Sequence, residues 1–167
     1  MDCSDALGLS TNQIADDSLS ATTWQPGRSD PWYGRLNNQS RRSWCATVVD
    51  DIQYFQIDLG PKLRLITAVA SQGSHNYDEW VTSYKLSYST DGGKWKVFGK
   101  GDIPEIFDAN KNRGTEVKHQ IDPPITAVAL RFHPVTWEGN MCMRVEAFGC
   151  DGELTTSISL LLQSIKR

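Results

Sequence analysis

The chain has 167 residues, with 17 Lys and Arg against 20 Asp and Glu, and a formal net charge of −3. That length suits one domain with a core large enough to fold by itself, and the mild acidic balance excludes the basic stripe of a nucleic-acid binder. No run of about eighteen apolar residues reads as a membrane-spanning helix, and no leader-like stretch precedes Cys3.

In chain order, Cys3 comes first, and "TTWQPGRSDPWYGRL" follows at residues 22–36. This stretch places Trp24, Trp32 and Tyr33 among turn-forming Pro, Gly, Ser and Asp. Two readings are open: the aromatics plug one end of a core, or they face outward to a ligand. Asn38-Gln39-Ser40 is an N-glycosylation acceptor pattern. Next, "YFQIDL" alternates Phe55, Ile57 and Leu59 against polar neighbours and predicts a half-buried strand. "LRLITAVA" is more continuously apolar and suits a strand covered on both faces.

"YKLSYS" alternates again, and Asp91-Gly92-Gly93 predicts a tight hairpin into "WKVF". "TEVKHQI", "AVALRF" and "MRVEAF" read as three further strands, the first two separated by "DPPI" at residues 122–125. No segment within the cysteine frame keeps a helical period, so many short strands with Gly and Pro turns predict an all-β sandwich or barrel with jelly-roll connections. The expected domain is residues 1–150; residues 151–167, with an apolar stretch from Ile158 to Leu162, read as a C-terminal tail or linker.

The four cysteines, Cys3, Cys45, Cys142 and Cys150, lack the spacing of a zinc site and allow three disulfide pairings. Cys3 and Cys150 stand at the outer edges of the strand pattern; if they join, Cys45 is left for Cys142. Persistent disulfides imply an oxidising compartment, hence an extracellular location. His75, His119 and His133 come without a nucleophile elbow or a paired metal-binding motif, so no enzyme is expected. The acidic pairs Asp50-Asp51 and Asp78-Glu79 read as solvated.

Six pieces in order, "CSDALGL", "YGRLNNQSRRSWC", "YFQIDLG" into "ITAVASQGSH", "YKLSYSTDGGKW" and "LRFHPVTWEGNMCMRVEAFGC", resemble the discoidin, or coagulation factor V/VIII type C, domain family. The resemblance implies a distorted jelly-roll β-sandwich of the galactose-binding-like kind, its ends pinned by Cys3–Cys150. It also implies ligand loops at one end, here residues 22–33, 37–44 and 72–80. On that pattern Trp24 and Trp32 face outward, while Tyr33 and Trp44 support the loop bases. Cys45–Cys142, with "PPI" and "RFHPVT", looks most like the discoidin domain of collagen-receptor tyrosine kinases, where the matches of Trp24, Glu79 and Asn140 contact collagen. Two departures are Ser74, where those receptors carry arginine, and Arg41 and Arg42 in a loop that is acidic there.

Members of the family bind anionic phospholipid, collagen, other proteins or sugars, which implies a non-catalytic module for adhesion or matrix recognition. The expected partner is an extracellular matrix protein or a cell-surface phospholipid, with a glycan-binding lectin domain as the alternative. Arg28, Arg35, Arg41 and Arg42 against Asp30 give residues 22–45 a surplus of three positive charges, which favours an anionic partner. The expected ligand-contacting set is Trp24, Arg28, Trp32, Arg41, Arg42, Ser74, His75, Glu79, Trp80 and Asn140. Sugar-binding relatives often hold calcium through an Asp and a Glu that match Asn37 and Glu146 here; losing one carboxylate weakens a hard-cation site, so no metal or other cofactor is expected.

Overall fold

A computed structural model describes residues 3–152; the predicted tail beyond residue 152 lies outside them. Among the described residues there are thirteen strands: β1 (Asp5–Ala6), β2 (Leu19–Ala21), β3 (Trp44–Cys45), β4 (Phe55–Asp58), β5 (Arg64–Gln72), β6 (Trp80–Ser89), β7 (Lys96–Val97), β8 (Gly99–Lys100), β9 (Ile103–Pro104), β10 (Phe107–Asp108), β11 (Val117–Ala127), β12 (Ala129–Glu138) and β13 (Cys142–Asp151). One sheet runs β1-β13-β5-β11, with β3 joined to β13, and the other runs β10-β6-β12-β4-β2, with β7 on β6. All named pairings are antiparallel. The two sheets face each other as a distorted jelly-roll sandwich, the predicted all-β class.

The alternation in β4 does what its sequence asks: Phe55 and Ile57 are buried, and Asp58 is exposed. β5 is central in its sheet between β13 and β11 and is covered on both faces, as its apolar run predicts. Trp44, Phe55, Tyr84 and Phe132 are fully buried, with Trp44 packed on Phe55 at 5.6 Å and Tyr84 on Phe132 at 5.3 Å between ring centres. The aromatic plug under the loops is therefore Trp44, whose indole N–H donates to the Thr23 carbonyl at 3.0 Å.

Two local predictions need correction. "DPPI" does not separate two strands; it lies inside β11, where the partner of Gln120 is Ala68 but the partner of Ile125 is Ile66. The extra residues form a bulge, the place for prolines that have no N–H to give a ladder. The real break is Val128, which donates to the Ser89 carbonyl and accepts from Leu59 as the chain crosses to the other sheet. The turn after β6 is also longer than a tight hairpin, with residues 90–95 between β6 and β7. There the Asp91 carboxylate accepts from the Lys94 and Gly93 amides, which holds its pKa below the usual value.

The disulfides are Cys3–Cys150 and Cys45–Cys142, with no free cysteine. Cys150 lies opposite Leu65 and Asp151 opposite Arg64, while Arg144 lies opposite Gln72. The outer bridge thus closes one end of the sandwich, and the segment from Gln72 to Trp80 projects from the other.

On the outer face of the second sheet, the Arg131 guanidinium sits between the rings of Tyr54 (4.0 Å) and Trp95 (3.7 Å). His133 lies beside it, its Nε2 2.7 Å from Ser87 Oγ. Desolvation, reinforced by Lys85 and Arg131, pushes the His133 pKa from 6.5 down to about 4. The folded state then binds fewer protons than the unfolded state between those values. Stability is full above the unfolded pKa and falls as the pH drops towards the folded one, by about 3 kcal/mol at most. Urea unfolding at neutral and mildly acidic pH should show that loss, and His133→Gln should remove most of its slope.

Candidate functional site

The loops at the open end are tied to one another by buried polar groups. Gln53, buried, accepts at Oε1 from Thr22 Oγ1 (2.6 Å) and Thr23 Oγ1 (2.7 Å), and its amide donates to Asp50 Oδ1 at 2.7 Å. Ser29 Oγ donates to the Cys45 carbonyl at 2.9 Å. The Arg42 Nη1 donates to the Gly27 carbonyl (2.6 Å) and to Tyr33 Oη (2.8 Å), joining the first two loops. The third loop joins them through His75 N to Ser43 Oγ at 2.7 Å and through the Asn76 amide to the Arg41 carbonyl. Beneath it the buried Arg144 donates to the carbonyls of Gly73 (2.8 Å) and Arg113 (2.9 Å), and burial lowers its pKa. A Cβ on Gly73 would stand 2.6 Å from that of Trp80, so only glycine lets the loop lie on β6.

Between these loops is a cleft of about 530 Å³, lined among others by Arg28, Arg42, Glu79 and Asn140. Four residues singled out in the sequence therefore converge from four segments: the three loops and the turn before β13. Asn140 Nδ2 donates to Glu79 Oε1 at 2.6 Å. Glu79 Oε2 lies 3.4 Å from Cys142 Sγ, a disulfide sulfur with no proton to give, so this oxygen faces the cleft as a spare acceptor. The sulfurs of Cys45 and Cys142 beside Glu79 are bonded to each other, which removes them as metal ligands.

The other predicted residues scatter. Trp24 is 36 % exposed on the first loop, and Arg28, Arg41 and Arg42 are exposed. Among the described residues, no carboxylate forms an ion pair with any of these three arginines. Ser74 is buried and its amide donates to the Glu79 carbonyl, while His75 and Trp80 are half-buried and outside the cleft lining. Trp32, 38 % exposed, lines a different hollow. The charge count also changes its members: Arg35 is buried and bonded to Asp16 at 2.7 Å, and Asp30 is buried too, leaving Arg28, Arg41 and Arg42 as the exposed surplus.

Asn38 has a structural task. Its Nδ2 donates to the carbonyls of Tyr33 (2.7 Å), Arg42 (3.0 Å) and Arg35 (3.1 Å), so the nitrogen that would carry a glycan is the donor that closes the second loop. Asn37 exchanges two hydrogen bonds with Gln72, and Glu146 accepts four from Leu9, Ser10 and Ala147. Both residues matched to a calcium pair are thus engaged by protein donors.

Exposed apolar residues that sequence reasoning passed over are Val48, Val49 and Ile52 (69 % exposed), between β3 and β4, and Tyr77 (68 % exposed) on the third loop. Val49 and Tyr77 line the cleft, and Val48 N donates to Thr23 Oγ1 at 3.4 Å beside Trp24. Apolar residues next to Asp50-Asp51 carried the same signal as Trp24 next to Pro26-Gly27.

The chain is 33% identical to mouse (Mus musculus) lactadherin over 158 residues, covering 89% of this chain and 34% of that protein. It is 34% identical to bovine (Bos taurus) coagulation factor V, again over 89% of this chain but only 7% of that protein. The chain therefore spans about a third or less of these two relatives. Discoidin II of Dictyostelium discoideum superposes with a TM-score of 0.72 at 28% identity, covering 81% of this chain and 56% of that one. The sequence profile of the F5/8 type C domain matches residues 14–147. With the jelly-roll sandwich, its outer disulfide and its loop-bearing end, that match establishes that the chain belongs to the F5/8 type C, or discoidin-like, domain family.

Proposed function

We propose that this chain is a non-catalytic extracellular binding module whose loop end docks on an anionic phospholipid surface. The observation that carries this reading is the meeting of exposed Arg28, Arg41 and Arg42, without acid partners among the described residues, with exposed Trp24, Val48, Val49, Ile52 and Tyr77 on neighbouring loops. The apolar tips enter the boundary between headgroups and acyl chains while the guanidinium groups meet phosphates, each cation contributing about 1 kcal/mol. The two disulfides support an oxidising compartment.

A second reading rests on Glu79 and Asn140. They face Arg28 and Arg42 in one cleft, so a protein strand carrying both charge signs, such as collagen, is complementary to it.

Trp24→Ala tests the shared part of both readings. An exposed indole on a braced loop loses little entropy on docking, so truncation is expected to weaken binding by at least about tenfold, or ~1.4 kcal/mol. The melting temperature should stay nearly unchanged, because Trp44 fills the core. Vesicle sedimentation, a triple-helical peptide overlay and a thermal melt on this one variant check it. A large melting loss with normal binding would return Trp24 to the role of a plug.

A further inference from the structure

Among the described residues, Cys45, Glu79 and Cys142 are the one group of side chains whose ligand atoms lie close enough to hold a metal, all within 4.8 Å of one another. As the chain stands, the two sulfurs are joined. The surroundings hold all three residues in place without that bond. Cys45 and Cys142 lie directly opposite each other on β3 and β13, and Trp44 beside Cys45 is fully buried. Ser29 Oγ donates to the Cys45 carbonyl at 2.9 Å, and Ala46 N donates to the Met141 carbonyl at 3.0 Å. Glu79 packs against Gly139, where a Cβ would stand 2.9 Å from Glu79 Cγ. Asn140 Nδ2 fixes Oε1 of that carboxylate at 2.6 Å, which leaves Oε2 turned to Cys142 Sγ at 3.4 Å.

We propose that, once the Cys45–Cys142 bridge is reduced, these three residues form a binding site for a thiophilic divalent cation of the zinc type. Cys45 is half-buried and lines the cleft, while Cys142 is buried, so a dithiol reductant attacks Cys45 Sγ. The S–S electron pair goes to the Cys142 sulfur, which takes a proton. The reductant's second thiol then displaces the Cys45 sulfur, which takes the other proton, and the reductant leaves as a disulfide. Binding of the cation releases both thiol protons. The two sulfurs and Glu79 Oε2 become its ligands, with a water from the cleft in the fourth position. Tetrahedral zinc, at about 2.3 Å from each sulfur, needs the sulfurs about 3.8 Å apart, so only the opened pair serves it. Two thiolates select zinc over magnesium or calcium, and the Arg28 and Arg42 charges in the same cleft offset the anionic ligand set. Asn140 orients the carboxylate, as an outer hydrogen-bond partner does in metal sites. The site opens on the loop cleft, but it takes a metal and does not rest on the lipid reading.

The test uses the full chain, reduced with a dithiol and freed of excess reductant without oxygen. Cobalt(II), a spectroscopic stand-in for zinc, is expected to bind one to a chain, with sulfur-to-metal charge-transfer absorption and the visible bands of a tetrahedral ion. Zinc should displace it. Zinc should also protect Cys45 and Cys142 from alkylation, as read by peptide mapping, whether or not the outer bridge has opened. Glu79→Gln, which removes the anionic ligand, and Asn140→Ala, which removes its orienting partner, should each weaken cobalt binding by at least about tenfold. Either variant holds the test open if the other folds poorly. The proposal is overturned by a reduced chain that takes up no cobalt, by protection of Cys3 and Cys150 in place of the inner pair, or by an affinity that both substitutions leave unchanged. Loss of near-ultraviolet circular dichroism on reduction, unrestored by zinc, overturns it too; vesicle sedimentation of the oxidised chain reports the lipid reading separately.

Discussion

Glu146→Ala is expected to destabilise the domain by about 4 kcal/mol, the largest single loss of stability predicted here. The carboxylate is fully buried and accepts from Leu9 N (3.3 Å), Ser10 N (2.7 Å), Ser10 Oγ (2.7 Å) and Ala147 N (3.0 Å). A buried charge is tolerated here because donors surround it. Removing it strands backbone N–H groups of the segment that leads from β1 into the loops, each costing about 1–3 kcal/mol, and opens a cavity as well. Glu146→Gln should cost about half as much, since its amide turns two hydrogens toward groups that also donate. Urea unfolding with the disulfides intact measures both, and a change below about 1 kcal/mol for the alanine variant would contradict the assignment. Because protein donors already fill both oxygens, added calcium is expected to leave the unfolding midpoint unchanged.

The double substitution of Arg28 and Arg41 by Gln is expected to weaken docking to phosphatidylserine vesicles by roughly thirtyfold, corresponding to about 2 kcal/mol at about 1 kcal/mol per cation. These two are chosen because Arg42 also braces Gly27 and Tyr33, so its loss would disturb the loops themselves. Both chosen residues are exposed and neither forms an ion pair among the described residues, which leaves folding intact. Raising the salt should shrink the difference between variant and parent, since the screening length falls below the distance from loop to headgroup. An equal loss of binding to neutral vesicles would show that the arginines act through loop shape and not through charge.

The sandwich was legible wherever one face of a strand is buried and the other is wet. Phe55 and Ile57 alternate with polar neighbours because only one side of β4 meets the core. The β11 bulge escaped because two prolines read as a strand break, although an irregular register also accommodates them. Of the candidate site, Arg28, Arg42, Glu79 and Asn140 were found and do share a cleft. Trp32 was grouped with Trp24 by nearness in sequence. Trp32 lies within the 3-10 turn Pro31–Gly34, which packs so closely that a Cβ on Gly34 would stand 2.6 Å from Phe55, and its side chain ends beside another hollow. Arg35 looked like a surface cation, since arginine is rarely buried without a partner; Asp16 and the carbonyls of Leu9 and Ile14 are those partners, visible only once the chain is folded.

Sedimentation of the unsubstituted full chain with phosphatidylserine-containing and phosphatidylcholine-only vesicles tests the membrane reading most directly. The exposed arginines and apolar tips predict strong binding to the anionic vesicles, weakened by salt, and little binding to the neutral ones. Equal binding to both, or binding to neither alongside capture by a triple-helical peptide, would contradict a lipid-docking loop end and move the cleft of Glu79 and Asn140 to the centre of the function.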